Sequence, residues 1–401
     1  MDSKQEPVQI GIFGMHGKLI TMKIGIVGDL HIGMRMHKGR FKEDACRQAK
    51  EAMHLASKNA DVVIQTGDVF DSDSPSMEDM VCAAEAFRAS NENGKKPVLI
   101  HGNHERRVRG MATPLNVFSN GGMAHYAHGE TLTFVENGEK VNIISIGHIP
   151  DSQAMDAIND VLERNLANIK DGLKVLVLHQ SIEEFMPFGD SALTLAYLDS
   201  LKVDVVIDGH IHKRYVSESG KIIVPGSTVA AKLDETELSE PRAIFIYDTI
   251  TRKAEPIELQ QKKGIYIVVD VGGQAPGKAG ETIDAEYNRI KDENKGVGII
   301  AKIKARGALK EGFERKDITI REYPDAVVDI SDVVGEDIKE KIRLIKELGK
   351  SKKPLIERIE EMLDSELKGK MKTRPSSLYR MLKEKEADEA MESLLSGKCE
   401  D

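Results

Sequence analysis

Five short polar motifs, each following a β-branched run, constrain this 401-residue chain more than any other feature. They are Asp29-Leu30-His31, Gly67-Asp68-Val69-Phe70-Asp71, Gly102-Asn103-His104-Glu105, His179-Gln180 and Gly209-His210-Ile211-His212. The strand-like runs cover 23–27, 61–66, 97–101, 141–146, 174–178, 204–208, 221–224 and 243–247. Continuous Val/Ile/Leu runs of this kind suit strands buried on both faces. Helical stretches are expected at 43–57, 77–91, 151–169 and 191–201. In 151–169, Ile158, Val161, Leu162, Leu166 and Ile169 share one face at helical spacing. Asn137-Gly138 has the composition of a hairpin turn. The class is α/β, a mixed sheet system covered by helices. Open α/β sheets bind ligands beyond the carboxyl ends of their strands, so five motifs at such ends can meet at one site.

The motif residues are Asp29, His31, Asp68, Asn103, His179, His210 and His212, all oxygen or imidazole donors with no thiolate. Such a set suits Mn²⁺, Fe²⁺ or Zn²⁺ without choosing among them. It is too large for one ion. Two ions sharing a bridging carboxylate, about 3.5–4 Å apart, would use it fully. Taken singly, each motif has an ordinary explanation. Asp29 can cap a helix, Asp68 and Gly102-Asn103 suit turns, and His179 can be a structural histidine. His210 and His212 are more specific, since strand alternation would put both imidazoles on one face. All five motifs in a fixed order are hard to explain as turns and caps.

Composition narrows the partners. The net charge of −9 argues against a generally basic nucleic-acid binder, so DNA contact needs local patches or bound cations. Three basic clusters adjoin the motifs: Arg35, Lys38 and Arg40; Arg106, Arg107 and Arg109; and Lys213 with Arg214. Their position favours phosphate contacts. Cys46, Cys82 and Cys399 lie far apart without C-x-x-C spacing, which reads as a reduced, cytoplasmic chain. No run is long enough to span a bilayer.

Residues 1–21 read as a flexible leader, with Met22 as an alternative start. After Asp248 the pattern changes. A strand at 264–271, a polar loop at 272–280, a helix at 281–291 and a strand at 296–306 make a small α+β module, taken as 251–330. From about Asp332 the chain reads as charged amphipathic helices, giving a helical tail over 331–401. Its narrow apolar stripes suit a partner groove.

The motif order D-x-H, G-D-x-x-D, G-N-H-E, H, G-H-x-H resembles the calcineurin-like metallophosphoesterases. Asp29-Leu30-His31-Ile32-Gly33, Gly67-Asp68-Val69-Phe70, His179-Gln180, Gly209-His210-Ile211-His212 and Pro225-Gly226-Ser227 resemble one branch, the Mre-eleven DNA repair nucleases, with the bacterial SbcD proteins as cousins. The resemblance implies a sandwich of two β-sheets flanked by helices over 22–250, a DNA-capping domain over 251–330 and a partner-ATPase-binding tail. It implies two Mn²⁺ ions, with Fe²⁺, Zn²⁺ and Mg²⁺ as alternatives. Asp29, His31, Asp68 and His212 would hold the first ion. Asp68, Asn103, His179 and His210 would hold the second, and His104 would act as general acid or transition-state stabiliser. The implied function is a duplex exonuclease and single-strand endonuclease in double-strand break repair. It would work as a homodimer with a coiled-coil ABC-type ATPase, in the cytoplasm at the nucleoid.

The chain departs from that branch at Asp71, where the family usually places a histidine that contacts substrate phosphate. Asp71 can repel phosphate, serve only its own turn, or orient a metal-binding histidine. Two other functions compete: a phosphoesterase for nucleotides or small phosphodiesters, and a non-catalytic scaffold.

Overall fold

The computed structural model of the chain describes residues 8–11, 21–34, 39–105, 112–136, 138–186 and 193–335. The eight expected runs all contain strands, and their period of two explains why they form two stacked sheets. A six-stranded sheet contains β2 (Lys23–Val27), β3 (Val62–Gln65), β4 (Val98–Leu99), β5 (His125–Tyr126), β12 (Ala243–Asp248) and β13 (Lys253–Glu258), in the order β13-β12-β2-β3-β4-β5. A seven-stranded sheet contains β1 (Val8–Gly11), β6 (Glu130–Glu136), β7 (Glu139–Ser145), β8 (Leu173–Leu178), β9 (Val205–Asp208), β10 (Tyr215–Val216) and β11 (Ile222–Val224), in the order β1-β6-β7-β8-β9-β11-β10. In β8, Val175 and Val177 face inward to meet Ile24, Ile26 and Ile64 of the other sheet, while Leu176 and Leu178 face outward. Each such buried side chain contributes roughly 1.5–3 kcal/mol to the fold's stability.

Helices cover both outer faces. Leu176 and Leu178 pack with Ile158, Val161 and Leu162 of α4 (Asp151–Leu166). On the other side, α1 (Lys42–Asn59) and α2 (Met77–Asn91) cover the six-stranded sheet through Ala49, Ala52, Ala56, Ala83 and Phe87. The alanines let α1 lie close: a Cβ on Gly25 would come 3.1 Å from that of Ala56. This is the expected α/β sandwich of two sheets flanked by helices. Gly138, at φ +85°, makes the β6–β7 hairpin turn, and Glu136 pairs with Glu139 as expected.

Several expectations need correction. Val8–Gly11 of the supposed leader is a strand, pairing parallel with Leu132–Val135 at the edge of β6. A boundary at 250 would cut a strand pair, because β13 completes the six-stranded sheet beside β12. Pro256 is tolerated there because β13 is an edge strand. Cys46 and Cys82 are bonded as a disulfide between α1 and α2, with Cα atoms 5.9 Å apart. Helix packing brings together what 36 residues of sequence separate. No helix among the described residues is long and apolar enough to cross a membrane.

The chain divides into two units, 1–269 with 283–304 and 320–329, and 270–282 with 305–319 and 330–401. A third sheet has the order β14-β15-β16, from β14 (Lys263–Asp270), β15 (Ile299–Ala308) and β16 (Ala326–Val334). The accompanying helix α7 (Pro276–Glu293) starts five residues earlier than the pattern suggested. Pro276 explains this, since proline is well suited to the first turn of a helix. Asp332, expected to open the helical tail, lies within β16. The tail from 336 onward falls outside the described residues, as do Arg35, Lys38, Arg106, Arg107 and Arg109.

Candidate metal centre

All seven expected donors and His104 come together beyond the carboxyl ends of the strands. Asp29 and His31 follow β2, Asp68 follows β3, Asn103 and His104 follow β4, His179 follows β8, and His210 and His212 follow β9. Backbone hydrogen bonds lock these turns together. Leu30 N and His31 N both donate to Asp68 O, Ile32 N donates to Val69 O, and Asp71 N donates to Ile32 O. Gly28 permits a close crossing, since a Cβ there would sit 1.6 Å from Gly226 O. His31, Asp68 and His210 have φ of 45°, 49° and 69°. His210 and His212 converge through this turn, and not through the strand alternation expected from sequence.

The donor atoms form overlapping groups. Asp29, His31 and His212 offer atoms all within 4.8 Å of one another, and so do His31, Asp68 and His104, and Asp68, His179 and His210. His31 Nε2 lies 3.0 Å from His212 Nε2, and Asp68 Oδ2 lies 3.3 Å from His179 Nε2. Asn103 Oδ1 is 3.1 Å from His179 Nε2 and 2.8 Å from His210 Nδ1. His179 Nδ1 donates to Thr66 O at 2.8 Å, which turns its Nε2 lone pair toward the centre. His31, Asp29, Asp68 and His179 are all buried. His104 is more open, with 35% of its side chain exposed, and its Nε2 is 3.9 Å from Asp68 Oδ2.

The electrostatics are those of a cation site. Burial alone would lower the pKa of His31, but Asp71, Asp68 and Asp29 outweigh it and hold it up at about 9. Burial also works against the His179 charge, yet Asp68 and Asp29 raise it to about 10. Burial would raise the Asp68 carboxyl, but His179, His31 and His104 hold it well below the usual range. His210 drops to about 3 through burial and the charge of His179. The clustered carboxylates thus favour positive charge at the centre, and Asp29 Oδ2 is buried without a hydrogen bond. This donor set fits divalent metal ions.

The surrounding residues include several that sequence reading passed over. Glu237 Oε1 accepts from His212 Nδ1 at 2.6 Å. Buried Arg242 donates to His212 O and Glu237 O. Glu105 accepts from the backbone N–H groups of Asp68, Phe70 and Gly102, bracing two of the turns. Burial and the Asp68 charge nevertheless push its carboxyl up to about 8. Glu105 stood next to His104 in its motif and could have been singled out. Glu237 follows His212 by 25 residues with no local signal. Asp71 has its carboxylate 3.3 Å from His31 Nδ1, so of its three possible roles the structure favours orienting a metal-binding histidine. Lys213 lines a cavity of about 280 Å³ with Phe185, Met186, His210 and His212.

Fold and site together resemble those of a metallophosphoesterase. Residues 22–214 match the calcineurin-like phosphoesterase family. Among similar curated proteins is the DNA double-strand break repair protein Mre11 of Methanocaldococcus jannaschii, 27% identical over 234 residues, or 55% of this chain and 61% of that protein. The Mre11 of Methanopyrus kandleri is 24% identical over 203 residues, 48% of this chain and 44% of that one. The Mre11 of Methanococcus maripaludis is 24% identical over 278 residues, 67% and 70% of the two chains. The chain thus spans 44% and 61% of the first two relatives. Among solved structures, a Thermus thermophilus protein superposes with a TM-score of 0.39 at 13% identity, covering 60% of this chain and 100% of its own.

Proposed function

We propose that this chain is a two-metal phosphodiesterase acting on DNA, a nuclease of double-strand break repair. The observation that carries the reading is the convergence of seven oxygen and imidazole donors, with His104 at their open side. In this reading Asp29, His31, Asp68 and His212 hold one ion, and Asp68, Asn103, His179 and His210 hold the other, with Mn²⁺ as the proposed metal. When bound, the pair supplies Lewis acidity to the phosphoryl oxygens and lowers the pKa of the attacking water. His104 donates its Nδ1 proton to Asp71 O at 3.1 Å, leaving Nε2 to face the centre. A proton on that Nε2 is placed to pass to the leaving oxygen, a role that contributes about 10²–10⁴-fold in rate.

The partners rest on other features. Met77 and Val81 on α2 and Val117 on α3 (Leu115–Asn120) are apolar and more than half exposed, which suits a second copy of the chain. A coiled-coil ABC-type ATPase is proposed for the tail, on the resemblance and the apolar stripes of its sequence. One observation favours the alternative, hydrolysis of nucleotides or small phosphodiesters: the cavity beside His210 and His212 is close in volume to a small-ligand pocket. The test is cleavage of linear duplex DNA beside bis(para-nitrophenyl) phosphate, with Mn²⁺, Mg²⁺ or EDTA. The reading requires Mn²⁺-dependent cutting of DNA, strongly reduced in His104→Ala. Hydrolysis of the small diester with intact DNA would favour the alternative.

A further inference from the structure

We propose that Glu237 and Asp71 are positioning residues that make the Asp29–His31–Asp68–His212 site the tighter of two unequal metal sites. The inference rests on the two-metal reading above. Its basis is what stands behind each histidine. His212 Nδ1 donates to the Glu237 carboxylate at 2.6 Å, and His31 Nδ1 faces the Asp71 carboxylate at 3.3 Å. Behind His179 the hydrogen-bond acceptor is neutral, Thr66 O at 2.8 Å, with the Asp29 carboxylate farther off at 3.9 Å. The remaining donor of that second site, Asn103, is a neutral amide whose Oδ1 lies 2.8 Å from His210 Nδ1.

The two sites therefore differ in charge as well as in geometry. Around the first stand Asp29, the shared Asp68 and the two supporting carboxylates; the second has the shared Asp68, with Asp29 Oδ1 3.9 Å from His179 Nδ1 on its far side. A carboxylate that accepts the far N–H of an imidazole fixes its tautomer, orients the ring and makes the ligating nitrogen more basic. A neutral carbonyl fixes the tautomer but adds less basicity. Glu237 is itself well fixed. It is buried, its Oε2 accepts from Lys232 N at 2.7 Å and Leu233 N at 3.1 Å, and its N–H donates to Asp234. Asp71 sits farther from its histidine, so its contribution is the smaller of the two.

Titration of the metal-free full-length chain with Mn²⁺ by calorimetry tests this. The expected result is two binding events of unequal affinity. Loss of a supporting group typically lowers metal affinity about 10–100-fold. Glu237→Gln, which keeps the shape and removes the charge, should weaken the tighter event within that range and leave the weaker one unchanged. Asp71→Asn should do the same to a smaller extent, and Glu237→Asp should recover part of the loss. Two equal events in the wild type, or equal weakening of both events in the variants, would overturn the inference and leave the two-metal reading standing. Absence of any binding would overturn both. If Glu237→Gln does not fold, Asp71→Asn alone decides, because it must act on the tighter event only.

Discussion

The two-sheet body and the small third sheet draw on the same Val and Ile vocabulary and treat it differently. In β3 and β9 every residue is buried. In β14 only one of eight positions is buried, and Val268 is 47% exposed. The difference shows what a polar centre of this kind requires. Desolvated Asp29 and His179 and three ligand positions at positive φ each carry a free-energy cost. Only strands held on both faces can impose such a state at their ends.

The largest expected effect breaks the centre itself. Asp68→Ala should abolish Mn²⁺-dependent hydrolysis and remove both calorimetric binding events, because Asp68 is the proposed shared ligand and groups with His31 on one side and with His179 and His210 on the other. Retention of two events in that variant would separate the sites and refute a shared carboxylate. A smaller effect compares the sheets. Ile143→Ala, at a fully buried inter-sheet position, should cost about 2–5 kcal/mol in urea denaturation. Val268→Ala should stay within about 0.5 kcal/mol, as for an ordinary surface position. Equal costs would show that burial does not distinguish the two regions.

The smallest effect sharpens the comparison through pH. His31 is held up at about 9 and His179 at about 10, above the ordinary 6.5 for histidine. A raised histidine pKa contributes stability that is fully present below 6.5 and lost as pH rises through the folded value. In EDTA, the urea midpoint should therefore fall between pH 7 and 10. Saturating Mn²⁺ should reverse the trend, because protons then compete with the metal for the same nitrogens. A midpoint in EDTA that is flat or rises over this range would show that these histidines fold uncharged.

What was legible in the sequence was local. Each donor sits within a few residues of a strand end, so periodicity and residue type together located Asp29, Asp68 and His179. What escaped was joined across distance. Glu237 reaches His212 through a short helix, α6 (Glu235–Ser239), that has no motif of its own. Cys46 meets Cys82 only because two helices pack side by side. β13 was hidden because an edge strand exposed on one side has a burial pattern too polar to register as a β-branched run. Asp71 was visible as a departure, but its contact with His31 depends on β2 and β3 lying side by side.

The positive φ values carry a consequence for how such a sequence can drift. Among the described residues, five that are not glycine adopt this conformation, and His31, Asp68 and His210 are three of them. At these positions the backbone would be more relaxed with glycine, while the chemistry demands a carboxylate or an imidazole. Substitution to glycine there would relieve the backbone as it removes a ligand. Unselected copies of this gene would therefore find paths on which the fold persists while the centre is lost.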